Sequence, residues 1–336
     1  MASFWKNLFG GILSPSQKKE ENLVPDSRPY PYSSDYPNTY QRDGRETSVE
    51  TLQIFEPALK HYSRAFRTGD PKFENADARE KWDEVRRQVI DHLLEIIHNS
   101  KWKDHLVLRG SLLLKAWLGA AAREPGDIDW VFRPENVGSN DSLSNELFAD
   151  LRRLTSENPA VGAAVIEINK IAVDDIWTYE RAAGKRIIFP WQAENLPAGY
   201  VQMDVVFNEP LWAEPVQTFI PNYRDSSVLI WSVNKEVSLA WKLLWLETDM
   251  YPQGKDLYDA ALLAEQTHLS LDLLKQILQS GDWRPGGEEL NIEFPLRWEI
   301  DWENFKLEYP WVEGEAKEWQ ARLSRALAPT FESARS

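Results

Sequence analysis

Residues 106–132 read LVLRGSLLLKAWLGAAAREPGDIDWVF. A short apolar run ends at Arg109, a Gly110-Ser111 pair opens a helix-like segment, and a second apolar run carries Asp127 and Asp129. Buried charge without a partner is costly, so two carboxylates among strand-forming residues call for one. Side chains two apart on a strand project from the same face, which puts both carboxylates together and turns Ile128 the other way. Paired oxygen ligands of this kind suit Mg²⁺, a hard ion that favours carboxylates, water and phosphate oxygens.

A third acid completes the pattern. The stretch YVQMDVVF, residues 200–207, places Asp204 on another strand-like run, where it would serve as a further metal ligand or as a base. Three carboxylates hold one or two Mg²⁺ ions, the arrangement that clamps both oxygens of an in-line displacement. At the other end, a Gly110-Ser111 turn ahead of a helix lets backbone amides and a hydroxyl approach a triphosphate. Ser111 would alternatively be a plain N-cap. Arg109 and Arg123 bracket this helix and would neutralise phosphate charge, or Arg123 would be a surface ion-pair residue.

Along the chain, residues 1–46 read as a flexible N-terminal arm, rich in Pro, Ser, Tyr and Asp from position 14. From Thr47 the pattern turns helix-like. Residues 77–100 form the clearest helix, with Trp82, Val85, Val89, Leu93 and Ile96 at helical spacing and Asp77 with Glu80 as a capping pair. Strand and helix signals then alternate, and residues 165–207 are β-rich. An α/β domain over residues 47–230 is therefore expected, followed by a mostly helical part over 231–336 that ends in an acidic, Trp-rich tail. That tail would stack nucleobases or, more in keeping with its many acids, pack or bind protein.

The 336 residues carry a net charge of −15, 16 Trp and no Cys. Thiol catalysis, disulfides and cysteine zinc sites are excluded, in keeping with a reducing cytoplasm. No run is long enough for a membrane helix. A nucleic-acid ligand would need a local basic patch, for which Lys101, Lys103, Arg109, Arg152, Arg153, Arg181, Lys185 and Arg186 are candidates. The five His residues show no ligand spacing, and His92 and His98 read as structural.

Gly-Ser, a helix, Asp-x-Asp and a later strand Asp together resemble the polymerase-β-type nucleotidyltransferase fold. The chain is closest in pattern to the AbiEii/AbiGii-like nucleotidyl transferase toxins, which include the MenT type. It shares with them LVLRGS…REPGDIDW, TYERAAGKRIIFPW, YVQMDVVF and SLAWKLLWLETDMYPQGKDLYDA, in that order, over residues 77–280. Lys255 stands where the family has Arg, and Glu-Pro-Gly precedes Asp127 where it has a Ser-containing turn.

The resemblance implies an α+β fold with a mixed sheet and a helical C-terminal part. It implies Mg²⁺-dependent transfer of a nucleotide from a nucleoside triphosphate, with tRNA as acceptor in the MenT type, and a partner antitoxin in the cytoplasm. Asp127, Asp129 and Asp204 would be catalytic, and Gly110, Ser111 and Arg123 would bind the nucleotide. By the resemblance Lys242 would be a triphosphate-binding cation, and Asp256 and Asp259 would belong to the active site. From the residues alone, Lys242 reads as a snorkelling lysine, Asp256 as a first-turn acid and Asp259 as a partner of Lys255. Two rivals remain: the same fold acting on a small molecule or protein, and a catalytically idle nucleotide-binding partner protein.

Overall fold

A computed structural model describes residues 39, 50–56, 66–178, 182–223, 226–281 and 290–332. The arm expected over residues 1–46 lies outside them apart from Thr39. Strands β1 (Thr51–Phe55) and β2 (Phe66–Pro71) form an antiparallel pair of their own. This corrects the helix-like reading from Thr47. Ile54 and Phe55 are buried, and Phe55 meets the ring of Tyr251 edge-on at 5.9 Å. A strand whose partner lies across a connection and whose apolar side chains are covered by a distant segment leaves no local periodicity to read.

Helix α1 (Ala76–His98) follows, with Trp82, Val85, Val89, Leu93 and Leu94 buried along one stripe. Its cap is Asn75, whose side chain accepts from the Ala78 amide at 2.9 Å, so the Asp77–Glu80 pair does not cap it. Next come β3 (Leu106–Arg109), α2 (Ser111–Leu118), β4 (Asp127–Phe132) and α3 (Ser142–Glu157). The β-rich middle contains β5 (Ala160–Val161), β6 (Ala164–Ile166), β7 (Ala172–Thr178), β8 (Ala182–Ala193) and β9 (Gly199–Val206). Strand β10 (Val216–Pro221), which the sequence reading passed over, pairs with β11 (Ser227–Ser232). It is an edge strand whose single buried residue is Ile220, so alternation is too faint to detect.

These strands form one nine-stranded sheet in the order β10-β11-β3-β4-β9-β8-β6-β5, with β7 also paired to β8. Strands β3 and β11, and β4 and β9, run parallel; the other neighbours are antiparallel. The sheet is mixed, as expected. Helices α4 (Lys235–Thr248), α5 (Gly254–Ala264) and α6 (Leu271–Ser280) pack on one another beside α2. Helix α7 (Trp302–Glu308) lies between α5 and β1, while α8 (Ala316–Ala326) packs on α5 and α9 (Ala328–Glu332) follows it. The tail thus returns to the first hairpin. Most of its tryptophans pack: Trp298, Trp302 and Trp319 are all below one-tenth exposed.

Replacing Asn75 with Ala is expected to lower stability by about 1 kcal/mol in denaturant titration, while Asp77→Ala changes it by less than half of that. Equal losses would restore Asp77 as the cap.

Candidate active site

The decisive placement is strand register. Asp129 on β4 pairs directly with Asp204 on β9, and Asp127 pairs with Gln202. On β4 the side chains alternate, Ile128 and Trp130 into the core and Asp127 and Asp129 to the opposite side. On β9 the same alternation buries Val201, Met203 and Val205 and presents Tyr200, Gln202 and Asp204. All five of these outward residues line a cavity of about 1670 Å³. Gly110 and Ser111 line it too, and so do Lys242, Asp256 and Arg123.

Gly110 has a positive φ of 81°, and a Cβ there would sit 2.1 Å from Asp129 Oδ2. Only glycine lets the β3–α2 turn come this close to the carboxylate. Gly110, not Ser111, occupies the N-cap position; the Ser111 hydroxyl instead donates to Asp127 Oδ1 at 3.0 Å. The plain-cap reading of Ser111 is thereby replaced by a role in fixing the first aspartate.

Electrostatics separates the carboxylates. Burial, then Asp127, then Asp204 push the Asp129 carboxyl up to about 8, against the pull of Arg109 and Lys242. Its oxygens open on the cavity, yet protein surrounds them elsewhere, and like charges at this spacing do not ionise together readily. For Asp127 burial also acts upward, but Lys255, the Ser111 hydrogen bond, Arg123 and Arg67 outweigh it and hold the group low. Asp204 is gripped by Arg186, which donates to both carboxylate oxygens at 2.8 and 2.7 Å, and by Gln202 at 3.1 Å. With the side chains so arranged, no group of three or more His, Asp or Glu among the described residues stands ready to hold a metal. Asp127 and Asp129 fit a hard divalent cation, whose charge would relieve the crowding at Asp129, while Asp204 beside them is held by Arg186.

The second cluster is a buried quartet of charges. Lys242 Nζ donates to Asp256 Oδ1 at 2.7 Å and lies 3.1 Å from Asp259. Arg123 forms a two-pronged pair with Asp259 at 3.0 and 2.7 Å and donates to the Tyr309 hydroxyl at 2.9 Å. Burial opposes the charge on Lys242, but Asp256 and Asp259 raise its pKa on balance. Asp259 is therefore the partner of Arg123 and Lys242, not of Lys255, and Arg123 is a buried ion-pair residue, not a surface one. Asp256 keeps one buried oxygen, Oδ2, without a hydrogen-bond partner.

Other residues were not singled out from sequence. Lys255 figured only as a departure from Arg and as a partner for Asp259, yet it lines the cavity and is, after burial, the strongest influence on Asp127. Arg67 on β2 also reaches the cavity and pairs with Glu56 at 3.3 Å. No local signal marks Arg67, because the hairpin is carried to the site by its contact with α7. The expected basic patch does not converge. Arg109, paired with Glu209, and Arg186 line the cavity, whereas Lys101, Arg153 and Lys185 pair with acids elsewhere and Arg181 lies outside the described residues. His92 and His98 bond backbone carbonyls of Asn158 and Leu229, and among the described residues no His lines the cavity.

Residues 92–332 match the family model described as the nucleotidyl transferase AbiEii toxin of type IV toxin–antitoxin systems. The chain belongs to the AbiEii family. It is a nucleotidyltransferase, and the elements that bear Asp127, Asp129, Asp204, Lys242 and Asp256 all fall inside the matched segment. No curated protein matches the chain. A crystal structure described as a candidate nucleotidyltransferase from H. pylori is similar at 11% identity and a TM-score of 0.45, covering 76% of this chain and 97% of that one. That likeness is too loose to bear on the site. Among the described residues, no helix is long and apolar enough to cross a membrane.

Two outcomes follow from the charges. A carboxyl raised on folding binds more protons folded than unfolded between its two pKa values, so its contribution to stability falls as pH rises through that window. The melting temperature of the metal-free protein should carry a component that declines from about pH 4, the ordinary Asp value, to about pH 8, and Asp129→Asn should remove that component. Asp259→Asn should destabilise by about 3–5 kcal/mol in denaturant titration, because it takes from the buried Arg123 its carboxylate partner and leaves Lys242 with Asp256 alone; a loss under 1 kcal/mol would contradict the buried quartet.

Proposed function

We propose that this AbiEii-family chain is a Mg²⁺-dependent nucleotidyltransferase that moves a nucleotide from a nucleoside triphosphate to an acceptor hydroxyl, the 3′ end of tRNA by family resemblance. The observation that carries this reading is the alignment of Asp129 with Asp204, with Asp127 two residues away, in one cavity with the Gly110-Ser111 turn. Asp127 and Asp129 would hold one or two Mg²⁺ ions, with Asp204 as a further ligand or base. Bound metal supplies charge neutralisation at the phosphates.

The chain's own residues do the rest. Ser111 orients Asp127, and the Gly110 turn leaves room for phosphate oxygens beside Asp129. Lys255 and Lys242 are the cavity cations suited to the triphosphate; a phosphate would compete with Asp256 for Lys242. The acceptor oxygen attacks the α-phosphorus, the bond to the bridging oxygen breaks, and pyrophosphate leaves. Asp204, once released by Arg186, is positioned to take the hydroxyl proton. Positioning and charge compensation do most of the work in such transfers. By family, an antitoxin partner and a cytoplasmic setting go with this activity.

One observation favours a second reading, in which the acceptor is a small molecule or a protein. The cavity wall carries as many Asp and Glu as Lys and Arg, ten of each among the described residues, and the chain's net charge is −15. A tRNA body needs an excess of cationic surface. The idle-partner reading is disfavoured by the intact aspartates.

The test is transfer of each α-labelled nucleoside triphosphate to total bacterial RNA with Mg²⁺. Label in a tRNA-sized band is expected, with a loss of at least a hundredfold in Asp129→Ala. Triphosphate binding without RNA labelling would favour the second reading; neither binding nor label would sink the enzyme reading.

A further inference from the structure

The charged end of the cavity accounts for phosphates and metal, but the same cavity has an apolar part that they do not use. Three of the most exposed large apolar side chains among the described residues line it: Met250 at 63%, Leu307 at 57% and Trp311 at 55% exposure. Trp311 differs from its neighbours in the tail, since Trp298, Trp302 and Trp319 are buried. Its ring is nonetheless held in orientation. Tyr258 meets it nearly at right angles at 6.0 Å and Tyr309 at 6.3 Å. Tyr258 is itself buried, and its hydroxyl donates to the Ala121 carbonyl at 2.7 Å.

The platform is also wired to the chemistry. Tyr309 contacts Trp311 on one side and on another accepts the Arg123 hydrogen bond, with the Arg123 guanidinium 5.1 Å over its ring. Arg123 in turn helps hold Asp127 low. A fixed aromatic ring, more than half exposed inside a phosphate-binding cavity, matches a flat apolar ligand bearing phosphates. The volume, about 1670 Å³, exceeds what one small molecule needs and leaves room for both a nucleotide and an acceptor end.

We propose that Trp311, together with Leu307 and Met250, is a stacking platform for a nucleobase in the transfer reaction. This rests on the nucleotidyltransferase reading above. The base belongs either to the incoming triphosphate or to the terminal nucleotide of the acceptor, and stacking serves any base because each presents a π-face.

The test measures equilibrium binding of the four nucleoside triphosphates, of inorganic tripolyphosphate and of a short single-stranded RNA to the full chain, with Ca²⁺ in place of Mg²⁺ to stall turnover. Wild type is compared with Trp311→Ala and Trp311→Phe, and the melting temperature of each checks folding. Trp311→Ala is expected to weaken nucleoside triphosphates about tenfold, or ~1.4 kcal/mol, to leave tripolyphosphate unchanged, and to be largely rescued by Phe. A tenfold loss confined to the RNA would assign the platform to the acceptor's base, which also supports it. Unchanged binding of both, or an equal loss for tripolyphosphate, would overturn the platform while the enzyme reading stands. Failure of the wild type to bind any of the phosphates would overturn the enzyme reading and the platform with it.

Discussion

The parallel pairing of β4 with β9 is the constraint on which the site depends. Because Asp129 and Asp204 are register partners and Asp127 sits two residues away, three carboxylates meet at one place on the sheet. Any slip by one residue would turn the aspartates into the core and Ile128 and Met203 into the cavity. The apolar residues between the acids, Ile128, Trp130, Met203 and Val205, are all fully buried and fix that register. The hydrophobic core thus sets where the charge goes, and the charge is then held against its own repulsion.

Around the aspartates the molecule answers charge with charge. Arg186 clasps Asp204, Ser111 and Lys255 settle Asp127, and the Arg123–Asp259–Lys242–Asp256 quartet forms a neutral block in the cavity wall. Asp129 alone receives too little compensation, which is why its carboxyl stands so high. While that carboxyl is protonated the crowding of like charges is relieved, and it returns as the proton leaves. The buried quartet also explains why an Arg and a Lys that sequence reasoning assigned to phosphate are partly committed to structure. Lys242 serves both ends only if a ligand competes with its aspartates.

What was legible in the sequence was whatever repeats locally or stands alone. The period-two alternation of DIDWV and VQMDV gave the strands and the faces of all three aspartates. The glycine at 110 was readable as a turn residue, though not as one pressed against Asp129, since that distance depends on β3 and β4 pairing. The first hairpin was misread because its apolar side chains are covered by a segment about 250 residues later, and such a contact leaves no trace in a short window. For the same reason Arg67, Tyr309 and Trp311 were invisible as cavity residues. Asp77 looked like a cap by its spacing to Glu80, but Asn75 stood two residues earlier with the same ability to accept an amide hydrogen bond. Some of the ion pairs that disperse the basic residues are local, as Arg153 with Asp150 and Glu157 on one helix, and others, as Lys101 with Asp150, join distant segments that a count of Lys and Arg could not foresee.

The most direct measurement is the titration of the Asp129 carboxyl by carbon-13 NMR on metal-free protein labelled at the Asp carboxyls, with Asp129→Asn supplying the assignment. A resonance titrating at about 8 and absent from the variant is expected. If every Asp, Asp129 included, titrated in the ordinary range near 4, the three carboxylates would not be gathered as described, and the account of the site would fail at its base.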